Sequence, residues 1–276
     1  MTAMTLRPLS DTVGVEVVGV DRDALVHDPD LPDRLLAGLA AHGVLVFRGF
    51  GHDDDLQIAF SRRLGEVETF SHCDPPEIFR VTLDPARNPS ADYLRGTVDW
   101  HIDGMTEDVP IMATLLCAHE VAVDGGETQF VSTYVAYEEL PGDVRDRVDG
   151  LRVVHTFLAA QRLIHPDATE EQLAFWAQRP AKEHPLVWRH RDGRRSLVLS
   201  ATADHVVGLD PADGRALLAE LLERATSPGR VLTHAWEVGD LVMWDNRGLL
   251  HRVLPYAWGS PRDMHRTTIK GDEPIA

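Results

Sequence analysis

The sequence predicts a mostly β domain with flanking helices, a sandwich or jelly roll. Three observations predict it. Short apolar runs rich in Val, Ile, Leu and Phe recur along the chain, and Gly and Pro turns separate most of them. Segments with helical spacing are few and amphipathic, as expected of helices packed outside a sheet. No internal repeat, low-complexity tract or linker interrupts the 276 residues, so a single domain over 1–276 is the simplest organisation.

The elements follow in order. Val13 to Val20 alternates weakly as a first strand. Pro32 to His42 reads as a helix, with Leu35, Leu36, Leu39 and Ala40 at helical spacing and Gly43 as its stop. Val44 to Phe47 is a buried strand. Asp53 to Leu64 is a second helix, with acidic residues at its positive end and an apolar stripe of Leu56, Ala59, Phe60 and Leu64. Ile78 to Leu83 is a strand, and Asp84 to Thr97 a loop. Ile111 to His119 and Thr128 to Val131 are strands joined by the Gly125-Gly126 turn. Val135 to Leu140 begins a helix ended by Pro141-Gly142. Asp143 to Arg195 has no clear period; its His155, His165, His184 and His190 are expected to pack or to lie on the surface. Leu197 to Leu199 is a strand and Gly214 to Ala225 a helix. Val231 to Trp236, Leu241 to Trp244, His251 to Val253 and Met264 to Ile269 are the closing strands.

Composition narrows the function. A hydrophobic content of 43% suits a globular core built without staples. A net charge of −17 argues against a nucleic-acid partner, which needs clustered cations. The positive charges are nearly all Arg, with Lys182 and Lys270 the only lysines, and a local Arg can bind a carboxylate despite the acidic whole. With only Cys73 and Cys117, no disulfide framework is implied and a reducing compartment fits. Met1 to Ser10 carries no signal-peptide pattern, and no apolar run approaches the roughly 18 residues of a membrane span. No membrane partner and a cytoplasmic location are therefore expected.

One stretch carries the chemistry, Trp100-His101-Ile102-Asp103-Gly104. On an extended strand, residues two apart point the same way, so His101 and Asp103 can reach one ion. A third ligand must come from elsewhere, and His251 is the best candidate. Two His and one carboxylate on one face of an ion leave its other positions open, as in non-haem Fe(II) oxygenases. The loop from Asp84 leads directly into this motif. Its Tyr93 and Thr97 are candidate substrate contacts, with Gly104 at the motif's end.

Taken together, these segments resemble the TauD/TfdA family of Fe(II)- and 2-oxoglutarate-dependent dioxygenases. The resemblance runs through His42-Gly43-Val44-Leu45-Val46-Phe47-Arg48-Gly49, Ile58 to Ser61, Trp100 to Asp103, Gly125 to Thr128, Gly239 to Arg247 and His265 to Thr268. The C-terminal third is especially similar to the 2,4-dichlorophenoxyacetate dioxygenase branch. The resemblance implies a double-stranded β-helix, a form of jelly roll, with Fe(II) at its mouth held by His101, Asp103 and His251. It implies 2-oxoglutarate and molecular oxygen as co-substrates, Thr128 and Arg262 on the distal carboxylate of 2-oxoglutarate, and Arg266 on an anionic substrate group. Arg262 lies eleven residues after His251, and Arg266 four further on. A guanidinium suits a planar carboxylate better than an ammonium does. Halogenating relatives lack the metal carboxylate, so Asp103 points to hydroxylation. Phe70 stands roughly where taurine enzymes carry a His, which speaks for a more apolar pocket. Family substrates include sulfonates, aryloxyalkanoates and alkyl sulfates, so a small anionic partner is expected, and the family's habit implies a homodimer.

Two other classes remain open at this point. A zinc hydrolase could use the same triad, but the chain has no helical His-Glu-x-x-His spacing. A silent jelly-roll binding module would have no need of three ligands. Asp245-Asn246-Arg247 is expected to form the turn that positions the His251 strand.

Overall fold

The computed structural model describes residues 4–276. A seven-stranded sheet runs in the order Thr5–Pro8, Val15–Val18, Val44–Phe47, Leu241–Asp245, Ala113–Glu120, Asp263–Ile269, Phe79–Val81. Its strands pair antiparallel except for Val15–Val18 on Val44–Phe47. A three-stranded sheet, Leu232–His234, Thr128–Ser132, Leu249–Val253, packs across it. Phe130, Leu232 and Leu249 of the small sheet share a core with Val44, Val46, Leu116, Val242, Trp244 and Met264 of the large one. This is the jelly roll that the turn-separated strands predicted.

Alternation along the central strands decides what faces the site. Val242 and Trp244 point into the core between the sheets, while Leu241 and Met243 join the core under the helices. In Ala113–Glu120, Leu116 and Ala118 point inward, and Leu115 and Cys117 outward. The outward face is covered by helices Leu31–His42 and Asp54–Leu64. Leu31, Leu35 and Leu39 recur at a spacing of four on the first, and Leu56, Phe60 and Leu64 on the second. Asp53 caps the second helix by accepting from the Leu56 N–H at 3.1 Å. Gly43, at φ +74°, ends the first; a Cβ there would stand 2.8 Å from a Leu249 methyl.

Several elements differ from expectation. Thr5–Pro8 pairs with Val15–Val18 but has no alternation to reveal it. The Asp84–Thr97 loop contains helix Ala91–Leu94, followed by a 3-10 turn over Arg95–Val98. The helix expected from Gly214 begins at Pro211, with Asp210 as its cap. The undeciphered 143–195 region folds as helices Gly142–Val148, Phe157–Ile164 and Glu170–Trp176 with strands Arg152–His155, Lys182–Pro185 and Val187–Arg189. Its histidines pack, as expected. His155, His184 and His190 are buried on Thr202 Oγ1, the Met105 carbonyl and Ser196 Oγ at 2.9, 3.1 and 2.8 Å. Burial pushes the His155 and His190 pKa values down to about 3 and about 4. Among the described residues, no helix is long and apolar enough to cross a membrane.

On the helix side of the large sheet, Asp54, His119 and His265 form a polar knot. The His265 Nδ1 lies 2.6 Å from Asp54, and its ring stacks on His119 with centroids 3.5 Å apart. Burial alone would lower the His265 pKa, but Asp263 and Asp54 outweigh it and the net direction is up. Burial likewise works against Asp54, yet His119 and His265 carry its pKa well down. The His265 contribution to stability is therefore complete below its unfolded value near 6.5 and lost as pH rises through the higher folded value. The Asp54 contribution is present above 3.8 and lost as pH falls through its lowered folded value. The melting temperature of wild type should exceed that of His265→Gln by more at about pH 5.5 than at about pH 8.5. An unchanged or widening gap at the higher pH would contradict this pairing.

Candidate active site

The two histidines of the expected triad meet across strands. The His101 N–H donates to the His251 carbonyl at 3.0 Å, and the His251 N–H returns the bond at 2.9 Å. The expected strand through His101 is thus a single bridge, not a run. Directly after it, Asp103 and Gly104 enter a turn. Gly104 sits at φ +82°, and a Cβ there would come 3.0 Å from the Ile111 nitrogen. Asp103 swings back to the two rings because the chain turns there.

Three ligand atoms converge. His101 Nε2 lies 3.8 Å from Asp103 Oδ1, and His251 Nε2 lies 3.9 Å from Asp103 Oδ2. These separations are too long for hydrogen bonds, and His101, Asp103 and His251 would together hold one ion between them. The His101 Nδ1–H donates to the Asp99 carbonyl at 2.8 Å, which leaves Nε2 with its lone pair free. Burial holds the His251 pKa down at about 3, so its imidazole is neutral, the ligating form. Burial would raise the Asp103 pKa, but His251, Arg266 and His101, with the Thr114 hydroxyl, turn it downward and keep the carboxylate ionised. By contrast, in the Asp54–His119–His265 knot one nitrogen is already hydrogen-bonded to the carboxylate, so that group reads as an ion pair.

An anion site lies beside the triad. Arg262 is 2% exposed. Its Nε donates to the Gly126 carbonyl at 3.3 Å, and its guanidinium lies over the Tyr256 ring. It makes no ion pair with any acidic side chain among the described residues. Burial lowers its pKa, opposed by Tyr256, yet an arginine stays charged. Thr128 is also buried, and its Oγ1 accepts from the Trp236 indole at 2.9 Å, which leaves its own proton to donate. Gly126, at φ +78°, lets the backbone approach Arg262; a Cβ there would be 3.1 Å from Arg262 Cδ. Arg266 Nη1 is 3.7 Å from Asp103 Oδ2, and its guanidinium lies 4.7 Å from the Phe79 ring centre.

His101, Asp103, Thr97, Thr128, His251, Arg262 and Arg266 line one cavity of about 60 Å³. A neighbouring groove of about 480 Å³ shares Leu94 and Val253 with it and adds Leu83, Val98, Ile164, Tyr256 and Trp258.

The model of the taurine catabolism dioxygenase TauD, TfdA family matches residues 5–268. The chain belongs to this family. Among TauD/TfdA relatives, it is 37% identical over 246 residues to the α-ketoglutarate-dependent 2,4-dichlorophenoxyacetate dioxygenase of Burkholderia sp. (strain RASC), covering 83% of this chain and 82% of that one. It is 33% identical to the (S)-phenoxypropionate/α-ketoglutarate-dioxygenase of Sphingobium herbicidovorans, over 98% of this chain and 96% of that one. The crystal structure of AAD-2 in complex with Mn(II) and N-oxalylglycine superposes with a TM-score of 0.83 at 29% identity, covering 99% of this chain and all of that one. The protein is thus a 2-oxoglutarate-dependent dioxygenase of the TauD/TfdA family, using Fe(II) as its metal and 2-oxoglutarate (α-ketoglutarate) and O2 as co-substrates. The chain's own donor set fits them: two imidazoles and a carboxylate grouped for one ion, and a buried guanidinium beside them with no acidic partner among the described residues.

The remaining candidate substrate residues are less central than the sequence suggested. Thr97 lines the cavity, but its hydroxyl already donates to the Leu94 carbonyl at 2.7 Å. Tyr93 is 38% exposed and packs on Phe157, outside the cavity wall, because the unforeseen helix turns it away. Gly104 is a turn residue. Phe70 is set one layer back, against Phe79, which carries Arg266. The sequence reading missed Arg252, Leu94, Val81, Leu116 and Trp244 in the wall. Their inward alternation on recognised strands could have identified Leu116 and Trp244. Asp245 and Arg247 form the expected turn, paired at 2.8 and 3.0 Å.

Proposed function

We propose that His101, Asp103 and His251 hold Fe(II), that Thr128 and Arg262 hold the distal carboxylate of 2-oxoglutarate, and that Arg266 holds the anionic group of a small substrate. The observation carrying this reading is Arg262, a buried cation without an acidic partner. Such a group is costly unless an anion completes it. A zinc hydrolase would leave it unanswered and would also lack a carboxylate general base, since Asp103 is the only carboxylate lining the cavity among the described residues.

When bound, iron with 2-oxoglutarate and oxygen supplies the oxidation that puts a hydroxyl on a substrate carbon, with release of succinate and CO2. The chain's residues do the rest. His101 and His251 present ring nitrogens, and Asp103 supplies one negative charge. Arg262 and Thr128 orient the co-substrate, and Trp244, Leu116 and Val81 exclude water. Arg266, braced on Phe79, fixes the substrate's charged end. Its apolar body would extend past Leu94 and Val253 into the larger groove. That shape suits an aryloxyalkanoate better than a compact sulfonate. If the hydroxylated carbon bears an ether oxygen, the C–O bond breaks, the proton passes to the departing oxygen, and a carbonyl compound remains.

The test is succinate formation under air with Fe(II), 2-oxoglutarate and a panel of aryloxyalkanoates and alkyl sulfates. No succinate above a His101→Ala control across the panel would sink the assignment. With a substrate in hand, Arg266→Ala should raise the substrate KM roughly tenfold or more, with little change in the KM for 2-oxoglutarate, since a charge-assisted hydrogen bond is worth about 1.5–3 kcal/mol. The reverse pattern would reassign Arg266 to the co-substrate. We also propose one catalytic domain acting as a homodimer, checked by light scattering. A cytoplasmic location is supported by free thiols at Cys73 and Cys117.

A further inference from the structure

Behind Asp103 runs a chain of hydrogen bonds with only one consistent direction. The Trp244 indole can only donate, so its partner at 3.1 Å is the side-chain oxygen of Asn246. The Asn246 amide nitrogen then faces Thr114 and donates to its Oγ1 at 2.9 Å. Thr114 Oγ1 has one proton left, and it lies toward Asp103 Oδ2 at 3.3 Å. Thr114 and Asn246 are fully buried and Trp244 is 3% exposed, so no solvent competes for these groups. Strand pairing places Thr114 directly opposite Trp244, which keeps the chain in register. The Trp244 ring also lies 4.8 Å from the ring of His251.

The two oxygens of Asp103 are therefore unlike. Oδ2 takes the Thr114 proton, faces Arg266 at 3.7 Å and stands 3.9 Å from His251 Nε2. Oδ1 accepts no hydrogen bond among the described residues, and His101 Nε2 stands 3.8 Å from it. We propose that Thr114, polarised by Asn246 and Trp244, is a positioning residue that ties down Oδ2 of Asp103 and reserves Oδ1 for the metal ion. The proposal rests on Asp103 being a metal ligand. It gives Asn246 a task beyond the turn it belongs to. It also explains a fully buried threonine beside the apolar run Leu115 to Ala118. Without the hydroxyl the carboxylate can rotate about its last bond and lean on Arg266, and the ion loses a fixed partner.

The test uses the metal-free full chain and Co(II) as probe, read by calorimetric titration and by the Co(II) visible spectrum under anaerobic conditions. Thr114→Val keeps the shape and removes the proton. It should weaken Co(II) binding roughly 10-fold or more and shift the Co(II) bands, in line with the loss of other partners that orient metal ligands. Thr114→Ser restores the hydroxyl and should return both readouts to near wild type. Asn246→Asp keeps the volume but removes the donor, draws the Thr114 proton toward itself, and should weaken binding as Thr114→Val does, which keeps the test open if the valine variant does not fold. Wild-type affinity and spectrum in folded Thr114→Val or Asn246→Asp would overturn the proposal, as would a serine variant as weak as the valine. His101→Ala separates the two levels. If it binds Co(II) as wild type does, the metal assignment itself fails; if it loses binding while folded Thr114→Val does not, only the positioning role fails.

Discussion

Replacing His251 with alanine is expected to remove iron binding and turnover while leaving the fold in place. The backbone bonds that join residue 251 to His101 do not involve the side chain, so the bridge survives the substitution. The strand Leu249–Val253 keeps its pairing with Thr128–Ser132 as well. What goes is one of three convergent donors. Removing a group that merely orients a ligand typically costs 10- to 100-fold in metal affinity or activity, so losing a ligand should leave less than about one hundredth of wild-type affinity. An anaerobic Fe(II) titration beside a far-ultraviolet spectrum checks both halves. Stoichiometric iron at wild-type affinity in a folded variant would remove His251 from the metal site.

Changing Arg262 should act on the co-substrate alone. Its guanidinium is sealed from solvent and has no acidic neighbour to satisfy, so its removal is not expected to strand a buried carboxylate. Truncating one partner of a buried charge pair costs about 2–5 kcal/mol, which for Arg262→Ala corresponds to a rise of roughly 30-fold to 1,000-fold or more in the dissociation constant for 2-oxoglutarate. Arg262→Lys keeps the charge but loses the fork of parallel donors, and should fall between the two. Metal affinity should barely change in either variant. Titrating iron-loaded protein with 2-oxoglutarate without oxygen reads this directly. An Arg262→Ala protein that binds 2-oxoglutarate as wild type does would move the distal carboxylate elsewhere.

Local pattern was a good guide where an element had a face to bury. Helices Leu31–His42 and Asp54–Leu64 and strands Val44–Phe47, Leu241–Asp245 and Asp263–Ile269 lie close to where their periodicity places them. Each is bounded by residues whose chemistry acts locally, such as Asp53 as a cap and Gly43 as a stop. The region 143–195 was opaque because its short elements take their order from one another. His155 and His184, for example, become core residues only through Thr202 and Met105. Tyr93 and Gly104 lie outside the cavity wall. Nearness in sequence to the metal motif made them candidates, but a short helix turns Tyr93 outward and a left-handed backbone gives Gly104 its task.

Residue type and spacing, both local properties, were enough to single out the candidates: a His-x-Asp motif, a later His, and two arginines at a set distance beyond it. How these side chains meet is a matter of long-range packing. His101 and Asp103 converge through a bridge and a turn, not an extended strand, and Arg262 is buried against Gly126, 136 positions away, as well as against nearby Tyr256. The threonine behind Asp103 was invisible for the same reason. A hydroxyl acquires a direction only from the donors and acceptors placed around it, and in Thr114 the donor that sets it, Asn246, stands 132 positions away.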